Sequence, residues 1–250
     1  MRLAGPLIEG RLVRRYKRFL ADIEVGGDIV TAHCANPGAM LGLTEPGNRV
    51  WLSRSENKSR KLPLSWEMVE ARFGDVSHIV GINTAHPNAI AAEAIGLGAI
   101  PELAGYASLR REVRYGHGRY GTASRVDMLL EAEGRPPCYV EVKNVHLMRK
   151  PGLAEFPDSV TARGTRHLEE LGDMVEAGNR AVMLFVIQMP ADDFALAADI
   201  DPAYAAAHAR AAARGVESLA YACRVEPADA TGAPSITLAG AVPFAHQASV

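Results

Sequence analysis

A chain of 250 residues with 48% hydrophobic content can bury one large core or two small ones, and length alone slightly favours two. Its apolar runs fall short of the ~20 residues a spanning helix needs, and Arg11, Arg14, Arg15, Lys17 and Arg18 break up the first twenty residues, so neither a membrane protein nor a secretory leader is expected and the chain reads as cytoplasmic. Net charge is only −2, yet residues 1–61 hold 11 Lys/Arg against 6 Asp/Glu and the remainder 16 against 23, so a basic first part is joined to an acidic second part.

Residues 1 to about 83 read as short strands at 11–23, 29–33, 49–53, 66–73 and 78–82, with Gly26-Gly27, Asn36-Pro37-Gly38 and Pro46-Gly47-Asn48 as turns. Five such strands suit a small barrel, of which the OB-fold is the commonest nucleic-acid binder. A generic β-domain is the alternative. Within this part, Arg14, Arg15, Lys17 and Arg18 alternate with Tyr16 and Phe19. Cations can neutralise phosphates while an aromatic face stacks on a base. Arg54, Lys58, Arg60 and Lys61 form a second cluster in an expected loop. An ordinary solvated face explains either cluster equally well.

Beyond His86-Pro87 the texture changes. Asn88 is placed to cap a helix over 89–97, and three β-rich segments follow at 109–115, 125–131 and 138–145. A loop with Pro151, Gly152 and Pro157 leads to a helix expected over 159–177, with Val160, Leu168, Leu171 and Val175 on its apolar face and Asp158 as its N-cap. The run AVMLFVI at 181–187 lacks alternation, as expected of a central strand covered on both faces. An Ala-rich helix over 202–214 ends at Gly215, and 216–225 reads as a last strand. The order is αβββαβαβ. Cys34, Cys138 and Cys223 are odd in number and far apart, which fits three buried thiols better than a disulfide framework or zinc site.

Strand alternation puts Glu141 and Lys143 on one face with Val142 turned into the core, and a hairpin would bring Asp127 to the same spot. Two carboxylates with water and phosphate oxygens suit an octahedral Mg²⁺ or Mn²⁺, which can polarise a phosphodiester and activate water. Lys143 would orient that water or offset developing charge. Glu93 is a candidate fourth member, holding metal or water or supporting the groups that do. An E-x-K triplet alone arises by chance about once in a chain of this size, so the weight rests on its combination with Asp127 and a basic helix behind it. On that helix Arg163 and His167 are spaced i, i+4 and share a flank that can face a phosphate, although a lone helical His is as readily a surface residue.

RYKRFLAD at 15–22, HCANPGAM at 33–40, SRVD at 124–127, YVEVKNV at 139–145 and FPDSVTARGTRHLEEL at 156–171 together resemble the sugar fermentation stimulation protein A family, in order and to about residue 226. The chain departs from the family pattern at Pro37, where Thr is expected, and in a longer Gly-rich insert at 116–122. The resemblance implies an α+β or α/β protein with an OB-like N-terminal β-barrel and a C-terminal PD-(D/E)xK restriction-endonuclease-like domain. Boundaries of 1–84, 85–228 and a tail at 229–250 follow. It also implies DNA binding and a link to regulation of sugar (maltose) metabolism.

Asp127, Glu141 and Lys143 match the nuclease motif position by position, with Asp127, Glu141 and Val142 as the expected metal ligands. The leading expectation is a Mg²⁺-dependent phosphodiesterase acting on DNA or RNA, gripped through Arg14, Arg15, Tyr16, Lys17, Arg18, Lys58, Arg60, Lys61, Arg163 and His167. A non-catalytic DNA-binding module is the second, and a hydrolase of a small phosphorylated ligand the third.

Overall fold

The computed structural model describes residues 1–115, 124–228 and 231–245. The Gly-rich insert at 116–122 lies outside them. Six strands make the first unit: β1 (Ile8–Tyr16), β2 (Leu20–Val25), β3 (Asp28–Cys34), β4 (Arg49–Arg54), β5 (Leu64–Phe73) and β6 (Val76–Gly81). β1 pairs with β2 and β4, β2 with β3, and β4 with β5, and a short parallel contact of β3 with β5 closes a five-stranded barrel of OB type. β6 extends β5 outside that ring.

The segment expected as one strand over 11–23 is a hairpin. Lys17 and Arg18, at φ 47° and 63°, turn β1 back into β2, and with neither Gly nor Asn at the tip nothing in the local residues announces the turn. Leu12, Ile23, Val50, Leu52, Trp66 and Val69 fill the barrel and belong to a core continuous with that of the second unit.

That second unit contains the expected order αβββαβαβ with four further strands inserted or appended, two of them where a loop was expected before the second helix. Helix α1 (Pro87–Gly96) precedes β7 (Ser108–Tyr115), β8 (Ser124–Glu131) and β9 (Cys138–Val145). A small sheet of β10 (Leu147–Lys150), β11 (Leu153–Phe156) and β13 (Asp193–Leu196) frames the loop into α2 (Ala162–Glu176). β12 (Arg180–Ile187), α3 (Pro202–Ala213), β14 (Glu217–Glu226) and β15 (Ser235–Ala241) complete it. The main sheet runs β15-β14-β12-β9-β8-β7, with β9, β12 and β14 parallel. β12 lies in the middle and Ala181–Ile187 are wholly buried. Residues 235–241, within the expected tail, form an antiparallel edge strand on β14.

Two helix starts differ from expectation. Thr161, not Asp158, caps α2, its hydroxyl accepting from Gly164 N at 3.1 Å, and Val160 lies ahead of the helix, 75% exposed rather than on its apolar face. Helix α1 begins at Pro87 with no side-chain cap, so Asn88 is free for other work. All three cysteines are buried thiols. Among the described residues no helix is long and apolar enough to cross a membrane.

A buried chain of amides clamps the two units together. Gln188 Nε2 donates to Asn144 Oδ1 at 2.6 Å and to Asn83 O at 3.3 Å, and Asn144 Nδ2 lies 2.8 Å from His146 Nδ1. His146 Nε2 is 3.2 Å from Asp158 Oδ2, which also accepts Met40 N at 3.0 Å from the barrel loop. In the same loop Asn36 Oδ1 accepts Gly38 N across Pro37.

Candidate active site and nucleic-acid interface

The ladder between β8 and β9 runs through Leu130↔Cys138 and Leu129↔Tyr139 and ends at Met128↔Val140, one step before Asp127 and Glu141 would face each other. On the other side of β8, the β7 ladder omits the pair Glu112–Asp127, and Glu112 sits at φ 54°. Asp127 thus lies where β8 is released from both neighbours, a local disruption of the kind strands use to re-aim a side chain. Freed from the ladder, Val142 N donates to Asp127 Oδ2 at 2.7 Å, and Asn88 Nδ2 from α1 donates to Oδ1 at 2.7 Å.

Glu141 is 3% exposed. Its Oε1 accepts Lys143 Nζ at 2.7 Å and also contacts His167 Nδ1 from α2, while Oε2 is buried without a partner. An orphaned buried carboxylate oxygen costs free energy unless something fills its place. Lys143 Nζ lies 3.5 Å from His167 Nδ1, and Arg163 Nε donates to His167 Nε2 at 3.3 Å. That bond calls for the tautomer with the proton on Nδ1, facing Glu141.

The two carboxyls respond in opposite directions. Burial, reinforced by the Glu141 charge, pushes Asp127 up despite Val142 N–H, Asn88 and Lys143. Burial also acts upward on Glu141, but the Lys143 charge and the His167 bond outweigh it and hold that carboxyl down. Tyr115 is pushed up by burial and then by Glu141, Glu170 and Asp127, and its hydroxyl lies 3.5 Å from Glu170 Oε2.

The oxygens present fit a hard divalent cation: two neighbouring carboxylates, one with an unfilled buried oxygen, and the carbonyl of Val142. Val142's side chain packs in the core with Val140 and Leu184 and its N–H is spent on Asp127, so only that carbonyl is available. Among the described residues no three His, Cys, Asp or Glu side chains gather as a metal cluster, so water or substrate oxygens would complete the coordination.

Asp127, Glu141, Lys143, Arg163 and His167 are brought together. Glu93 is not: it lies further along α1, 2.8 Å from the Met1 ammonium and away from the carboxylate pair. The sequence reading missed Asn88, taken for a cap, and Tyr115, Ser124 and Glu170. Glu170 is buried one turn along α2 from His167, with Ser124 Oγ at 2.7 Å and Tyr115 OH at 3.5 Å. Spacing i, i+3 between His167 and Glu170 on one face was the available signal.

The basic residues of the barrel divide by task. Arg14 is tied to Asp22 at 2.8 Å and its guanidinium lies over Tyr16, whose hydroxyl also bonds Asp22. Arg15 is a structural fastener, donating to the carbonyls of Arg18, Asn36, Gly38 and Ala39. Lys17 and Arg18 stand exposed at the hairpin tip. Lys58, Arg60 and Lys61 are exposed in the loop before β5, and Arg60 reaches Ser65 Oγ at 3.1 Å. A groove of about 680 Å³ separates the two units. Arg15, Arg18, Asn36 and Thr84 line its barrel side; Asn144, next to Lys143, and residues 156–161 line the other.

Two family profiles match successive parts of the chain. The profile for the SfsA N-terminal OB domain matches residues 13–82, and that for the sugar fermentation stimulation protein RE domain matches residues 85–229. A sugar fermentation stimulation protein homolog of Methylobacterium nodulans is 57% identical over 232 residues, covering 92% of this chain and 96% of its own. One from Azorhizobium caulinodans is 54% identical over 246 residues, covering 98% and 99%. The solved structure of Pyrococcus furiosus SfsA in complex with Ca²⁺ is similar with a TM-score of 0.82 at 25% identity, over 98% of each chain.

Proposed function

This chain belongs to the sugar fermentation stimulation protein family, and from that premise we propose that it is a divalent-cation-dependent phosphodiesterase acting on nucleic acid. The observation that carries the reading is Glu141 Oε2, a buried carboxylate oxygen with no partner, set beside Asp127 and within reach of an ammonium. A site meant only to bind a polyanion gains nothing from a buried carboxylate and a half-buried one facing it. The Pyrococcus furiosus relative was solved with Ca²⁺, an oxygen-seeking cation, and oxygen is what Asp127, Glu141 and the Val142 carbonyl offer. Mg²⁺ or Mn²⁺ is the proposed working ion.

Bound there, such an ion supplies Lewis acidity toward a phosphodiester oxygen and lowers the pKa of an attached water. The protein's groups do the rest. Asn88 and Val142 N–H fix Asp127, and Lys143 with His167 fixes Glu141, so both carboxylates are aimed before substrate arrives. Lys143, partly exposed beside Glu141, is placed to hold the attacking water and offset charge on the phosphoryl oxygens. Arg163, one turn from His167, is placed to hold a neighbouring phosphate.

The test is cleavage of labelled single-stranded and duplex DNA and RNA with Mg²⁺ or Mn²⁺ against EDTA. Metal-dependent cleavage lost in Asp127→Asn and Glu141→Gln is expected. Binding without any cleavage by the wild type would leave a non-catalytic DNA-binding protein.

A further inference from the structure

We infer that the hairpin tip and the groove beside it form a binding path for single-stranded nucleic acid, with a base stacked on Phe19 and the backbone led past Arg18 toward Lys143. The inference rests on the nucleic-acid reading above and adds strandedness to it. Phe19 is 43% exposed, unlike the large aromatic side chains of the core. Its ring lies nearly parallel to that of His33, at 19° and 6.4 Å between centroids, so the two rings form an offset pair. A flat ring paired with another and open to solvent is a stacking platform for any base. Across the groove Val160 is a second exposed apolar side chain, 75% open.

The backbone supplies an independent argument. Lys17 and Arg18 both hold positive φ in the three-residue turn at 17–19, where Gly or Asn is favoured and long side chains are strained. The sequence keeps two cations at that strained tip, and among the described residues neither side chain makes a hydrogen bond or ion pair within the protein. Strain retained to present unpaired charge beside an exposed ring fits recognition of a phosphate next to a base.

Strandedness follows from what each form can offer. A duplex stacks its bases on one another and presents phosphates only, leaving Phe19 without a partner. The groove walls are held together by the contact of Asp158 with Met40 N, so its span is set within the fold.

The experiment is binding by fluorescence anisotropy in EDTA, so that cleavage plays no part, using an oligo-dT strand, the matching duplex, and a strand carrying 2-aminopurine. Expected are at least tenfold tighter binding of the single strand and quenching of 2-aminopurine on binding. Phe19→Ala should lose about tenfold and Phe19→Trp little. The double variant Lys17→Asn/Arg18→Gly relieves the turn, so it should unfold at the same temperature or higher, yet bind more weakly and with a salt slope smaller by about 1.4. A folding defect cannot produce that pair of results. Equal or tighter binding of duplex, or unchanged affinity and quenching in Phe19→Ala, would overturn the inference. Expected binding with no cleavage in Mg²⁺ would sink only the phosphodiesterase reading, and cleavage without strand preference only this one.

Discussion

Asp127 and Glu141 lie one pair beyond the last rung of their ladder, the first half-buried and the second buried, which makes each sensitive to what stands between them. Without a cation, Asp127 is the carboxyl driven toward its protonated form. Divalent ion should therefore raise the melting temperature of the wild type by mass action, and the rise should shrink in Asp127→Asn or Glu141→Gln, as differential scanning fluorimetry with and without Mn²⁺ can measure. Lys143→Ala should keep most of that rise while losing cleavage by two orders of magnitude or more, because its part lies with water and phosphate.

Asp158 gives a pH prediction. Burial alone would raise it, but the bond and charge of His146 and the N–H of Met40 outweigh that and hold it at about 2, against an ordinary 3.8. A carboxyl depressed by folding stabilises fully above its unfolded pKa and loses that contribution as pH falls through the folded value. The stability gap between wild type and Asp158→Asn, read by urea unfolding, should thus close by about 2 kcal/mol between pH 5 and pH 2.

Among these residues, Glu141 and Lys143 could be read from the sequence because strand alternation fixes their common face, and Asp127 because a hairpin brings it there. Asn88, Tyr115 and Ser124 could not, and Glu170 only through its spacing from His167. Asn88, Tyr115 and Ser124 join the group through packing of α1, β7 and β8 against their neighbours, and no local period encodes such a contact. Asp158 looked like a cap because FPDS precedes a helical pattern, whereas its carboxylate is taken by a loop 118 residues away.

At the level of elements, α2 carries Arg163, His167 and Glu170 to the open ends of β8 and β9, and α1 delivers Asn88 from the opposite face of the sheet. The central strand β12 was legible because an apolar run without alternation must be covered on both faces. The β1–β2 turn was not, since its two positive-φ residues are cations rather than Gly or Asn. The join of β6 to the second unit depends on a missing side chain: a Cβ on Gly81 would lie 2.5 Å from Gln188 Oε1 and 3.0 Å from its Cδ. Gln188 is wholly buried and bonded to Asn144, so it has nowhere to move. Gly81→Ala should cost about 1–3 kcal/mol in denaturant unfolding, with no change in the barrel's exposed basic residues.

For the molecule as a whole, the proposed reading has a basic barrel hold the strand and an acidic second unit cut it. The charge asymmetry that suggested this was visible in the chain, but not which cations are spent internally. Arg15 closes the loop at 36–39 and Arg14 serves Asp22, so neutralising them would disturb the barrel itself. Lys17, Arg18, Lys58 and Lys61 are the cleaner targets, and their joint replacement should weaken binding to all sequences alike while flattening its salt dependence.

The most direct test of the account is cleavage of a labelled oligonucleotide by purified protein in Mn²⁺, run beside Asp127→Asn, Glu141→Gln and Lys143→Ala. A metal-dependent phosphodiesterase site predicts cleavage by the wild type alone, abolished by EDTA. Equal cleavage by the carboxylate variants, or none by a wild type that binds both ion and strand, would contradict it.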